Sequence, residues 1–128
     1  DRIGLVSSAN KRAGDLPYGD QRRLEIARAM CTGPALLCLD EPAAGLNRAE
    51  TGKLHELLDR VHASGVTLLV VEHDMHFVRA LCDHVIVLNF GKKIFEGSPG
   101  EVQKDAEVLK AYLGTNEEEA EERVGRAS

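Results

Sequence analysis

The sequence predicts an α/β fold in which a parallel sheet is flanked by helices. Residues 35–39 form an unbroken apolar run that ends in Asp40 and Glu41, a pattern typical of a strand buried on both faces. Residues 66–71 form a second run of this kind, rich in β-branched side chains. The segment between them carries apolar residues at the spacing of one helical face: Leu54, Leu57, Leu58 and Val61. A strand, a helix and a strand in this order predict a right-handed crossover between parallel strands.

The remaining elements follow from turn and cap signals. A helix is predicted over residues 22–31, after a turn at residues 16–21, and Gly33 with Pro34 ends it. Asn47 is a plausible N-cap for the central helix, because Glu50 stands at the capping-box position. Ser98, with Pro99 and Glu101 after it, carries the same signal for a later helix. The other predicted elements are a strand at 85–88, a turn at 89–92, an antiparallel edge strand at 93–96 and a last helix at 106–113.

Composition excludes several classes of protein. The 128 residues include 16 basic and 21 acidic side chains, and a net charge of −5 argues against a nucleic-acid binder. Three widely spaced cysteines form no disulfide framework, which favours a reducing compartment. The sequence contains no signal peptide and no apolar run of membrane-spanning length. The acidic segment 115–128 is expected to be a disordered tail.

Polar side chains that could act on a phosphate follow both central strands. Asp40 is placed to hold Mg²⁺, most simply through water, and Glu41 can polarise an attacking water. His73 follows the neighbouring strand, and strands lie about 4.8 Å apart, so the three side chains can face one site. The N–H groups near Gly19, at the start of a helix, could bind a phosphate. Each signal alone is weak, since solvated acids, a helix-entry histidine and a glycine turn are common.

Taken together, the motifs resemble those of the ATPase subunits of ABC transporters. Residues 16–29 look like the signature motif and its helix, and residues 35–42 look like the Walker B strand. Residues 44–47 resemble the D-loop, and residues 71–75 resemble the switch-histidine loop. The order and spacing match as well, from about residue 3 to residue 114. The Leu-Pro-Tyr-Gly form of the signature is similar to that of the subfamily that powers branched-chain amino acid import.

The resemblance implies roles for particular residues. Glu41 would be the catalytic carboxylate, His73 the sensor of the γ-phosphate, and Asp40 the residue that holds Mg²⁺ through water. The residues expected to contact ATP bound by the opposite subunit of a head-to-tail dimer are Leu16, Pro17, Tyr18, Gly19, Asp20, Gln21 and Asn47.

The resemblance also implies cofactors and partners. ATP and Mg²⁺ are the expected ligands. The expected partners are a second ATPase subunit, identical or different, and membrane-embedded permeases. The protein would then lie peripherally on the cytoplasmic face of the inner membrane. No nucleic-acid partner is expected.

One part of the family pattern is absent. The sequence contains no G-x-x-x-x-G-K-[ST] loop, which in the family precedes the signature. We therefore expect an incomplete P-loop NTPase-like fold, in which residues 1–114 are the C-terminal part of an ABC ATPase domain. The missing strand would leave a gap in the sheet. Asp20 also departs from the subfamily, because a carboxylate near ATP phosphates should repel them; alternatively it faces aside and complements the helix dipole.

Three functions are compatible with these features. The first is an ABC-type ATPase subunit, present as a fragment that is inactive alone because the phosphate loop is absent. The second is a non-catalytic interaction module that pairs with an intact ATPase subunit. The third is a metal protein, for which the candidate ligands are His73, Asp74, His76, Cys82 and His84. No HExxH or CxxC pattern supports the third.

Overall fold

The computed structural model describes residues 4–112 and residue 114. The chain divides into two compact units, residues 1–77 and residues 78–128, and the division falls inside one helix.

The first unit contains the predicted strand–helix–strand segment. Its elements are two short 3₁₀ turns at Val6–Ser8 and Ala13–Asp15, helix α1 at Tyr18–Met30, strand β1 at Leu36–Asp40, helix α2 at Arg48–Ala63 and strand β2 at Thr67–Val71. Helix α3, at Met75–Leu81, contains the division between the units. Strands β1 and β2 pair in parallel, from Leu36 opposite Thr67 to Asp40 opposite Val71. The parallel pairing predicted from the two apolar runs is therefore confirmed.

Helix α2 provides the largest part of the described core of this unit. Four of its side chains are buried, and they are the four predicted from the spacing: Leu54, Leu57, Leu58 and Val61. Its N-terminus carries the predicted capping box, in which Asn47 Oδ1 accepts a hydrogen bond from the Glu50 N–H at 2.9 Å. The cap and the apolar stripe together fix where this helix begins and which face it buries.

The expectation that the central strands are buried on both faces is wrong. Leu36, Leu69 and Val71 are 52%, 55% and 58% exposed, and Cys38 on the same face is exposed too. Leu37, on the opposite face of β1, is buried. An apolar run indicates that either face of a strand can be buried. Which face is actually buried depends on the elements that pack against the strand. Among the described residues, one face of this two-stranded sheet is left open.

Helix α1 begins four residues earlier than predicted. Pro17 is its N-cap residue and makes no side-chain cap, and the Pro17 carbonyl accepts the N–H groups of Asp20 and Gln21. The segment predicted as a turn is therefore the first turn of the helix. Proline fits here because it has no N–H that the helix would need to satisfy.

The second unit is built on an antiparallel hairpin. Strands β3 (Val85–Asn89) and β4 (Lys92–Gly97) pair around Phe90 and Gly91, which have φ angles of 48° and 76°. Positive φ at both central residues is the pattern of a type I′ hairpin turn. A register shift between Val87 and Leu88 interrupts the ladder. The predicted strands and turn are thus confirmed, each strand one or two residues longer than expected.

Two helical segments follow the hairpin. Helix α4 (Pro99–Val102) begins with the predicted capping box, in which the Ser98 side chain accepts the Glu101 N–H. Residues 106–112 are helical, and Asp105 Oδ1 accepts the Val108 N–H at 3.0 Å. Leu113 and the predicted tail at 115–128 lie outside the described residues. Within residues 4–112, no helix is both long and apolar enough to cross a membrane.

Cys82 should react more slowly than the other two cysteines, Cys31 and Cys38. Cys31 and Cys38 are exposed, whereas partial burial, reinforced by the Asp83 charge, raises the pKa of the Cys82 thiol. A raised pKa lowers the thiolate fraction at any pH below it, and the thiolate is the reacting species. We expect iodoacetamide at neutral to mildly alkaline pH to modify Cys31 and Cys38 first, as followed by mass spectrometry of tryptic peptides. Equal modification rates of the three cysteines in the folded chain would contradict this prediction. In urea, where the chain is unfolded, the three rates should become equal.

Candidate active site

Two side chains predicted to act together lie side by side at the ends of the parallel strands. Glu41 follows β1 and His73 follows β2, and His73 Nδ1 lies 3.3 Å from Glu41 Oε1. Both side chains are exposed, so the pair is open to a ligand from solvent. Parallel strands put their carboxyl ends at the same edge of the sheet, which brings residues 32 positions apart into contact.

The backbone at Glu41 has an unusual conformation. Its φ is 44°, in the left-handed region that residues other than glycine rarely adopt. The Glu41 N–H donates to the Val71 carbonyl at 2.8 Å, which continues the ladder one residue beyond β1. The chain then turns through Ala44, whose N–H donates to the Glu41 carbonyl at 3.1 Å. This turn carries the Glu41 side chain toward the loop of His73.

Asp40 is the last residue of β1 and is exposed. Magnesium in nucleotide sites commonly uses one or two carboxylates, with waters and phosphate oxygens completing its coordination. A single exposed carboxylate at a strand end fits that donor set. Residues 4–112 and 114 contain no cluster of three or more histidine, cysteine, aspartate or glutamate side chains suited to a metal ion.

The start of α1 lies beside the loop that follows Glu41. A Cβ added at Gly45, which has a φ of 75°, would lie 3.2 Å from Cε1 of the Tyr18 ring. The Tyr18 hydroxyl in turn accepts a hydrogen bond from Arg22 Nη2 at 2.8 Å. The predicted signature and D-loop segments are therefore neighbours within this unit, which the sequence alone did not indicate.

Several residues of the predicted signature have structural partners. Leu16 is buried, and its carbonyl accepts a hydrogen bond from Gln21 Nε2 at 2.8 Å. Asp20 forms an ion pair with Arg23, one turn along α1. This position supports the interpretation in which Asp20 faces aside and complements the positive end of the helix.

Gly19 is close to another side chain rather than open. It is buried, and an added Cβ would lie 3.0 Å from Cγ of Glu50. The backbone of Gly19 therefore lies close to the first turn of α2. A role for Gly19 toward a nucleotide stays a prediction.

Asn47, predicted to contact nucleotide, caps α2. Its side-chain oxygen accepts the Glu50 N–H, and its own N–H donates to Glu50 Oε2, both at 2.9 Å. Its carbonyl accepts the Thr51 N–H at 2.9 Å. These contacts give Asn47 a structural role as the cap of α2. A nucleotide bound by Asn47 would have to contact a side chain whose oxygen already accepts the Glu50 N–H.

Replacement of Asn47 should test this cap. Asn47→Ala removes one side-chain acceptor and should lower the free energy of unfolding by about 0.5–2 kcal/mol. Asn47→Asp keeps an acceptor oxygen and adds negative charge near the helix N-terminus, so it should retain most of the stability. Urea unfolding followed by circular dichroism measures both. An unchanged free energy of unfolding in Asn47→Ala would show that the cap does not stabilise the chain.

Sequence reasoning missed Glu72. Its Oε1 accepts a hydrogen bond from the Ala43 N–H at 3.1 Å, across 29 residues of sequence. Its Oε2 accepts the N–H of His73 at 3.2 Å. One signal in the sequence was available. Glu72 directly follows the second predicted strand, and that strand was expected to lie beside the one that ends in Asp40 and Glu41.

Two known families match parts of the sequence. Residues 1–44 match the family described as ABC transporter, and residues 92–118 match the family described as branched-chain amino acid ATP-binding cassette transporter. The solved structure of MJ1267, an ATP-binding cassette of an ABC transporter in its ADP conformation, superposes with a TM-score of 0.82 at 30% identity. The match covers 88% of this chain and 46% of the MJ1267 chain. The structure of cbiO1 from Clostridium perfringens gives a TM-score of 0.75 at 33% identity, covering 85% of this chain and 44% of that one. The chain is therefore similar to ATP-binding cassettes of ABC transporters and shares their P-loop NTPase fold.

The curated relatives that match the chain are named for branched-chain amino acid transport. The chain is 48% identical over 115 residues to the high-affinity branched-chain amino acid transport ATP-binding protein LivG of Escherichia coli (strain K12). It is 47% identical over 115 residues to the corresponding protein BraF of Pseudomonas aeruginosa. Each match covers 89% of this chain and 45% of the relative. The chain is thus similar to the branched-chain amino acid ATP-binding subunits and spans about half the length of the curated relatives that it matches.

Proposed function

We propose that this chain is the part of an ATPase cassette that carries the catalytic carboxylate, in a transporter for branched-chain amino acids. The observation that carries the proposal is the contact between Glu41 and His73 at the ends of two parallel strands, 3.3 Å apart. LivG and BraF, to which the chain is similar over nearly its whole length, are named for this transport function.

The chemistry assigned to the site needs a base and a phosphate contact. Glu41, which is exposed, would accept a hydrogen bond from the attacking water and polarise it. His73 Nδ1 faces Glu41, so Nε2 is the ring nitrogen that would meet a phosphate oxygen. A histidine that donates to both partners must carry a proton on each ring nitrogen.

The nucleotide and its metal ion are part of the same proposal. ATP would be the substrate, and Asp40 would hold Mg²⁺ through water, where the ion offsets negative charge on the phosphates. Leu16–Gln21 and Asn47 would lie near the nucleotide of a second ATPase subunit in a head-to-tail dimer. The exposed residues of this set are the better candidates for direct contact, because Leu16 and Gly19 are buried in the unit.

The proposed setting is a membrane transporter. A second ATPase subunit and permease subunits would be the partners, and the cassette would lie peripherally at the cytoplasmic face of the membrane. The transported substrate would be selected by other subunits.

A hybrid protein tests the proposal. In it, the matching 115-residue stretch of Escherichia coli LivG is replaced by that of this chain. The hybrid should hydrolyse ATP in the presence of Mg²⁺, because it restores a phosphate loop next to Glu41 and His73. The 128-residue chain alone should not, because the backbone cradle for phosphate is absent from its sequence.

Two outcomes would overturn parts of the proposal. A folded hybrid that binds ATP without hydrolysing it, yet pairs with intact LivG, would favour the non-catalytic interaction module. A steady Mg²⁺-dependent rate from the chain alone, lost in Glu41→Gln, would show that the chain needs no further part for hydrolysis.

A further inference from the structure

The carboxylate of Glu72 joins the two loops that carry Glu41 and His73. Oε1 accepts the Ala43 N–H at 3.1 Å, and Oε2 accepts the His73 N–H at 3.2 Å and the Asp74 N–H at 3.5 Å. The side chain is half-buried, whereas Glu41 and His73 are exposed. Glu72 therefore faces the backbone of the site rather than the solvent in front of it.

The contacts of Glu72 bear directly on the backbone of Glu41. The residue before Glu72, Val71, accepts the Glu41 N–H through its carbonyl at 2.8 Å. Val71 and Glu72 thus hold the backbone at two nearby points, Val71 at Glu41 and Glu72 at Ala43. This restraint matters because Glu41 has a left-handed backbone, which is unfavourable unless its surroundings fix it.

We propose that Glu72 is a positioning residue that sets the separation of Glu41 and His73. One oxygen fixes the loop of Glu41, and the other fixes the backbone of His73. The role requires a group with two acceptors, because the backbone partners on both loops are N–H donors. The inference extends the proposed function, since it assumes that Glu41 and His73 are the reacting pair.

Two substitutions separate the halves of this arrangement. Glu72→Gln keeps one acceptor oxygen for the Ala43 N–H, but its amide NH₂ would face the N–H of His73, where two donors cannot bond. Glu72→Ala removes both acceptors. Glu56→Ala is the matched control, because Glu56 is an exposed glutamate of α2 outside this arrangement.

Nuclear magnetic resonance of the ¹⁵N-labelled 128-residue chain, without nucleotide, provides the test. In Glu72→Ala the Ala43 amide should exchange with deuterium about tenfold faster than in the wild type, as expected for loss of one hydrogen bond. In Glu72→Gln it should stay within about twofold, while the His73 amide resonance moves. Amides of the buried α2 residues should keep their exchange rates in both variants. Glu56→Ala should match the wild type throughout.

The ring of His73 gives a readout that simple destabilisation would not reproduce. The ring ¹⁵N resonances report which nitrogen carries the proton, and Glu41→Gln should change them by removing the charged partner of Nδ1. Glu72→Ala should produce the same change, although the Glu72 side chain contacts His73 at its backbone N–H and not at its ring. The conservative Glu72→Gln should restore part of the wild-type ring spectrum.

The proposal is overturned if the His73 ring is unchanged in Glu72→Ala, or if Ala43 exchange is unaffected. It is also overturned if all core amides accelerate together. Should Glu72→Ala not fold, an unchanged His73 amide in Glu72→Gln would overturn it by itself. Because no step uses nucleotide, these results are independent of whether the LivG hybrid hydrolyses ATP.

Discussion

Glu41→Gln is expected to reduce ATP hydrolysis by the LivG hybrid by about 10²- to 10⁴-fold, the usual contribution of a general base. The substitution preserves the size of the side chain and one acceptor oxygen toward His73, but removes the negative charge that polarises water. Binding of ATP should change little, because no phosphate contact is assigned to this carboxylate. Steady-state hydrolysis and equilibrium binding of a fluorescent ATP analogue measure the two effects separately.

The control for this prediction is Glu56→Gln, which removes the same charge from an exposed position on α2. Its hydrolysis rate should equal that of the unmodified hybrid. A Glu41→Gln hybrid that keeps more than about a tenth of the rate would remove this carboxylate from the chemistry. In that case Asp40, the neighbouring acid, would become the group to test.

Leu58→Ala is expected to lower the free energy of unfolding of the chain by about 2–5 kcal/mol. Leu58 has no exposed surface and lies at the centre of the apolar stripe of α2. Truncation removes its burial and leaves a cavity that its neighbours fill only in part. Urea unfolding followed by circular dichroism at 222 nm measures the loss, which is a large share of the stability of a small domain.

Leu69→Ala is the matched comparison, because it removes the same atoms from the open face of β2, where Leu69 is 55% exposed. Its effect should be well under half that of Leu58→Ala. Equal losses would show that the open face of the sheet is covered in solution, through self-association or otherwise. Repeating both measurements at several protein concentrations would reveal self-association directly.

The sequence was most informative where the signal is local. The capping boxes at Asn47 and Ser98 each need only two residues three positions apart, and both are observed. The stripe of α2 requires only a period, and its four apolar residues are buried. The proximity of Glu41 and His73 followed from one further rule, namely that parallel strands end at the same edge.

The sequence was least informative where packing between segments decides the outcome. Pro17, Tyr18 and Gly19 were predicted as a turn because proline and glycine are poor helix formers, but proline is well suited to a helix start. The apolar run at β1 could not indicate that Leu36 would be exposed. Glu72 carried no local signal at all, since its partner Ala43 is 29 residues away in the chain.

The left-handed backbone of Glu41 has an evolutionary consequence. Such a conformation costs an ordinary residue about 1–2 kcal/mol, whereas glycine adopts it freely. A lineage relieved of hydrolysis would therefore gain stability by drifting to glycine at this one position. Glycine at position 41 would therefore trade the carboxylate proposed to act on water for a more stable backbone, a conflict common at functional sites.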